Sequence, residues 1–208
     1  MIPIESISQL NELTTVYNLR VADHHTYFVG WALWGWDVWG HNAQYEIPGV
    51  VSLRQVGQNG KYFQQAQKIR SEVSQIAGLR SIFRRPPGTP KAGNIAFAAG
   101  EIDGKQVSMK AFSSSQGNNP KGFVRTISER IRKLLRIPAN MCVIRVSDTE
   151  AKILGQMLRK SKKSSTGKVV IYSEREPCAF CNPAITRFTE LRPHIQVSVR
   201  YTFPRKGT

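Results

Sequence analysis

The sequence predicts an α/β layered sandwich. Two observations point there. A hairpin signal surrounds Asp103-Gly104, with apolar runs on either side. From residue 123 onward helix-like and strand-like segments alternate, the pattern that packs helices onto a sheet. In chain order, Val16, Leu19, Val21 and then Tyr27, Phe28, Val29 read as two short strands around a turn at Ala22–His25. Four tryptophans follow (Trp31, Trp34, Trp36, Trp39), and the segment closes on His41-Asn42. Residues 43–60 read as loop with short extended pieces.

In residues 61–78, Phe63, Ala66, Ile69, Val73 and Ile76 recur at helical spacing, and Gly78 is a stop signal. Residues 81–90 are basic and carry Pro86-Pro87-Gly88, which predicts a loop. The hairpin strands are residues 94–98 and 107–112. Residues 113–122 are polar and read as loop. A helix is expected over 123–135, with Val124, Ile127, Ile131 and Leu134 or Leu135 inward and Arg125, Arg130, Arg132 and Lys133 as a basic face. Ser147 can cap a further helix over 148–159. Residues 160–168 are a basic loop, Val169–Tyr172 a buried-type strand, 178–191 the last helix and 195–201 an alternating closing strand.

Composition narrows the function. The 208 residues carry 30 Lys+Arg against 14 Asp+Glu, a net charge of +16. Residues 1–42 hold one basic residue, Arg20, against four acidic ones, so the excess lies wholly beyond residue 42. Such a surface suits a polyanion such as nucleic acid, and equally an ordinary solvated surface. No apolar run is long enough to span a bilayer, and the basic start of a signal peptide is not present. Three cysteines cannot all pair, which excludes a disulfide scaffold.

The chemistry concentrates in Pro177-Cys178-Ala179-Phe180-Cys181, Asp148-Thr149-Glu150, and the turn 173–176 that leads into the cysteines. At i and i+3 on a first helical turn, Cys178 and Cys181 share a face, and a helix N-terminus lowers thiol pKa. Zinc takes thiolates at this spacing, although a C-x-x-C is also compatible with a redox pair or inert packing. Zinc nucleobase deaminases place H-x-E ahead of P-C-x-x-C. Here D-T-E stands about thirty residues upstream of the cysteines.

With RVSDTEAKILGQM, GKVVIYSEREPCAFCNPAITRF, RPHIQVSVRY and the hairpin NIAFAAGEIDGKQVSMKAF, the sequence resembles the toxin-deaminase family of bacterial polymorphic toxins over about residues 90–202. The resemblance implies a cytidine deaminase-like sandwich, a mixed sheet of about five strands flanked by helices. It implies a bound zinc ion and conversion of cytosine to uracil in nucleic acid, with single-stranded DNA the leading substrate. Cys178 and Cys181 match the thiolate ligands, and Glu150 matches the general acid/base. Asp148 occupies the third ligand position, where most deaminases have His or Cys. Cys142 is the alternative third ligand, and His194 is poorly placed. Asn94, Ser113, Tyr172, Ser173 and Phe180 are candidates to grip the base, by position near strand ends. Arg84, Arg85, Lys121, Lys160, Lys162, Lys163, Arg175 and Arg187 are candidates to hold phosphates.

VYNLRVADHHTYFVG followed by His41-Asn42 resembles the C-terminal end of an intein-like (Hint) domain. That implies cyclisation of Asn42 assisted by His41, and by His24 or His25, with Asn42–Ala43 as the bond at risk. The nucleophilic half of such a domain is not in this chain, so a remnant marking a release point is expected. The expected domains are the remnant (1–42), a linker and helical extension (43–89) and the deaminase (90–208). A secreted or injected effector acting in the target-cell cytoplasm follows from the resemblance, with a cognate immunity protein as partner and no membrane association.

Overall fold

A computed structural model describes the backbone of Thr26–Gly30 and Asp37–His41 and, in full, residues 49–89, 91–113, 120–138, 148–178 and 181–204. The chain divides into two units between Ala43 and Gln44. In the first, β1 (Thr26–Gly30) pairs antiparallel with β2 (Asp37–His41), and Thr26 lies opposite His41. The expected strand over 16–21 lies outside the described residues, as does Asn42. The partner of the Tyr27–Val29 strand is therefore the end of the Trp-rich segment.

The second unit is an α/β sandwich. Its elements are β3 (Val50–Gln55), α1 (Lys61–Ser74), α2 (Arg80–Phe83), β4 (Ile95–Ile102), β5 (Lys105–Phe112), α3 (Glu129–Leu134), α4 (Thr149–Lys160), β6 (Gly167–Arg175), α5 (Cys181–Leu191) and β7 (Ile195–Phe203). The five-stranded sheet has the order β3-β7-β6-β4-β5. β4 pairs antiparallel with both β5 and β6, whereas β6–β7 and β7–β3 are parallel, so the sheet is mixed. The β4–β5 turn is Asp103-Gly104 with φ of 51° and 72°, the two left-handed residues that a tight hairpin of this twist requires. Asp103 also ties the hairpin to the loop before β6, accepting from the Ser165 hydroxyl at 2.7 Å and the Thr166 N–H at 3.0 Å.

Strand alternation divides the core between the two faces of the sheet. Ala96, Ala98, Met109, Ala111, Val169, Ile171, Val197 and Val199 face α3, α4 and α5, against Ile131, Ile153, Leu154, Met157, Ile185 and Phe188. Ile95, Phe97, Phe112 and Tyr172 face the other way, against Ala66, Ile69 and Val73 of α1 and Phe83 of α2. Gly155 lets α4 settle closely, since a Cβ there would stand 2.4 Å from Ile127 Cγ2.

Three expectations are corrected. Within the expected linker and helical extension the helix is present as α1 and packs on the sheet, but residues 50–55 are not linker: β3 is an edge strand of the sheet. The helix expected over 123–135 is only α3. Residues 123 and 124 run beside β5, where Val124 N–H donates to the Lys110 carbonyl at 2.9 Å, and this strand-edge bond replaces a helical one. Arg132 is buried instead of lying on a basic face, with its guanidinium on Glu129 and the Ile137 carbonyl. No described helix is long and apolar enough to cross a membrane.

Candidate metal centre

The centre forms where β6 ends, β4 begins and two helices start. Asp148 is the N-cap residue of α4 in extended conformation, but its side chain makes no capping bond to the first turn. Its carboxylate faces the cysteines instead. The Cys178 carbonyl accepts from the N–H groups of Cys181 at 2.9 Å and Asn182 at 3.0 Å. α5 is described from Cys181 onward, and the bond from Asn182 N–H is the i to i−4 bond of a helix. Both thiols are buried and unbridged, with sulfurs 3.2 Å apart, well beyond the ~2.05 Å of a disulfide.

Asp148, Cys178 and Cys181 offer ligand atoms that all lie within 4.8 Å of one another. Asp148 Oδ2 is 3.6 Å from Cys181 Sγ and 3.9 Å from Cys178 Sγ. A tetrahedral zinc ion with bonds of about 2.3 Å to sulfur and 2.0 Å to oxygen sets these edges at about 3.8 Å between sulfurs and 3.5 Å from sulfur to oxygen. The donor set fits that geometry to within about 0.6 Å. Its electrostatics fit as well. The hydrogen bond shared with Cys178, then burial, then the negative charges of Glu150, Cys178 and Asp148 push the Cys181 thiol well above its ordinary value. Acidic groups crowded in a dry site favour a cation, and two helix N-termini add partial positive charge.

Glu150 is buried on the first turn of α4, and its Oε2 lies 3.7 Å from Cys181 Sγ. The Ser173 hydroxyl donates to Oε1 at 2.7 Å and the Thr149 hydroxyl to Oε2 at 2.8 Å. Asn94 holds both hydroxyls in that sense. Its Nδ2 donates to Thr149 Oγ1 and to Ser173 Oγ, each at 2.8 Å, and its Oδ1 accepts from the Arg175 N–H at 3.2 Å. Both hydroxyl protons are thereby committed to the carboxylate.

The base-gripping candidates are redistributed. Asn94 and Ser173 orient Glu150 and are buried. Ser113 braces the same corner, its Oγ accepting from the Asn94 N–H at 2.8 Å. Tyr172 is excluded from the centre: one residue from Ser173, it faces the opposite side of the sheet, fully buried between Tyr62 and Phe97, with its hydroxyl on Thr202 at 2.8 Å. Phe180 and Cys142 lie outside the described residues. His194 sits beside the first residue of β6, roughly 20 Å of strand away from the Ser173 that meets Glu150. Of the phosphate candidates, Arg175 is turned inward onto the carbonyls of Thr89 and Ala92, and Arg187 pairs with Glu190 at 2.6 Å. Arg84, Arg85, Lys121, Lys160, Lys162 and Lys163 are exposed. Lys160 lines an open groove with Arg125 and Arg159 at the far end of α4, roughly 17 Å along the helix from Asp148.

Sequence reasoning missed three contributors. Thr149 is the unspecified middle residue of D-x-E, yet it holds the carboxylate. Glu174 is fully buried behind the centre and takes a bidentate ion pair from Arg70 of α1, whose guanidinium also reaches the Phe83 and Gly93 carbonyls. Burial pushes the Glu174 carboxyl up, against the pull of Arg70. Lys152 is fully buried, with Nζ on the Phe112 carbonyl at 2.8 Å and over its ring. Burial brings its pKa down to about 8, and the Asp148 carboxylate opposes that fall. Its i+4 spacing from Asp148 was the available signal.

A mixed sheet between helix layers, with a three-donor cluster and a carboxylate at two helix starts, defines the class: a cytidine deaminase-like fold with a candidate metal centre. A family model for the toxin-deaminases, described as the BURPS668_1122 family of deaminases, matches residues 81–202, more than half of the chain. The chain belongs to the toxin-deaminase family, and that membership makes it a deaminase. No curated protein and no solved structure matches it.

Proposed function

We propose that the chain is a zinc-dependent toxin that deaminates cytosine to uracil in nucleic acid, with single-stranded DNA as its first substrate. The observation that carries this reading is the placement of Glu150 Oε2 3.7 Å from Cys181 Sγ, beside the cluster of Asp148, Cys178 and Cys181. Zinc held by those three residues would supply the Lewis acidity that makes water a nucleophile near neutral pH. Glu150 takes a proton from water and passes it to the cytosine ring nitrogen, then moves a second proton to the departing amine. Water is consumed and ammonia leaves, so the exchange balances. Ser173 and Thr149 keep both carboxylate oxygens aimed while the proton moves. The net charge of +16 supports a polyanionic substrate.

As a toxin of this family, the protein acts in a target cell and requires an immunity protein where it is made. On this reading His41-Asn42 marks the point of its release from a carrier. The test is sequencing of single-stranded DNA, double-stranded DNA and RNA after incubation with the full chain, beside Glu150→Gln. C-to-U conversion by the wild type, lost in a Glu150→Gln variant that still carries zinc, is expected. Conversion of adenine, or of RNA alone, would overturn the substrate. Zinc binding without deamination of any of the three would overturn catalysis in favour of a zinc-stapled binding domain.

A further inference from the structure

Resting on the zinc reading above, we infer that Lys152 is the built-in counter-charge that lets Asp148 serve as a metal ligand where a neutral His is usual. Two thiolates and a neutral imidazole cancel the two positive charges of zinc. Two thiolates and a carboxylate leave zinc and its ligands together at −1. An uncompensated charge in a buried site is costly, so the exchange of His for Asp calls for a cation nearby.

Lys152 meets that requirement by position. It lies one helical turn after Asp148 on α4, and its backbone N–H donates to the Asp148 carbonyl at 3.1 Å. Its side chain is fully buried and does not reach out to water as surface lysines do. The ammonium is anchored to the Phe112 carbonyl at 2.8 Å and over the Phe112 ring, at the end of β5, next to the Ser113 that braces Asn94. A purely structural anchor at this position would need only a neutral donor. A buried ammonium on the turn of α4 that follows an anionic ligand has an electrostatic task, and Lys152 is a positioning residue for the metal through Asp148.

The test is a double-mutant cycle read by zinc affinity, independent of turnover. The full chain is titrated with zinc chloride against a chromophoric chelator as wild type, Lys152→Met, Asp148→His and the double variant. Lys152→Met alone should weaken zinc binding at least about tenfold, the range seen when groups behind metal ligands are removed. With His at position 148 the same change should cost less than about threefold, because zinc and its ligands together are then neutral. Equal losses in the two backgrounds would show that Lys152 only braces Phe112 and would overturn the inference while leaving the zinc reading intact. A wild-type chain that takes up no zinc would overturn both. Should Lys152→Met alone fail to fold, the comparison of the double variant with Asp148→His decides: matched affinities support the inference, and a tenfold loss refutes it.

Discussion

Asn94→Ala distinguishes a residue that grips substrate from one that aims the proton carrier. The side chain makes three described bonds, to Thr149 Oγ1, Ser173 Oγ and the Arg175 N–H. At about 1 kcal/mol net for each, their loss should cost about 3 kcal/mol of folding stability. The catalytic effect follows from freed hydroxyls. Without the amide, Thr149 and Ser173 can turn their protons elsewhere, and Glu150 loses the two donors that hold its oxygens. Displacement of a catalytic group by about 1 Å costs up to roughly a hundredfold in rate, so kcat should fall about tenfold to a hundredfold. KM should stay nearly level, because Asn94 is buried behind Glu150. The assay pairs urea denaturation with steady-state deamination of a single-stranded oligonucleotide, at confirmed zinc content. A raised KM with kcat intact would refute the reasoning and restore Asn94 as a base contact.

Two further outcomes are expected. Arg70→Met strands the Glu174 carboxylate, which is fully buried, and should destabilise the fold by about 3–5 kcal/mol in chemical denaturation; a loss under about 1 kcal/mol would contradict the pairing. The Asp103 carboxyl is held below its ordinary 3.8 by the Ser165 hydroxyl and the Thr166 N–H. A depressed folded pKa gives stability that is present above the unfolded value and lost as pH falls through the folded one. Asp103→Asn keeps a residue suited to the turn, so it should flatten the acid limb below about pH 4; parallel wild-type and variant curves would dismiss the linkage.

The parts of this molecule legible in its sequence are those set by local chemistry. Asp103-Gly104 can hardly be anything but a hairpin turn, and Cys178, Cys181, Asp148 and Glu150 announce themselves by residue type and spacing. What escaped depends on partners distant in the chain. β3 is a half-polar segment that becomes a strand because β7, nearly 150 residues later, supplies its hydrogen bonds. Residues 123–128 have a helical pattern, but the edge of β5 holds them extended at Val124. Tyr172 and Ser173 are neighbours in sequence, and only the register of β6 against β4 decides which of them faces Glu150. Lys152 and Arg132 look like surface cations until the packing encloses them.

The Arg70–Glu174 pair bears on where the working protein starts. Arg70 lies upstream of residues 81–202, while Glu174 adjoins Ser173 inside them. A shortened version trimmed to that core would carry an acidic group sealed in oil with its cation cut away, and a bare β7 rim where β3 had been. Anyone shortening this chain should therefore begin it ahead of Val50, or supply the missing piece as a separate peptide and watch for the two halves to find each other.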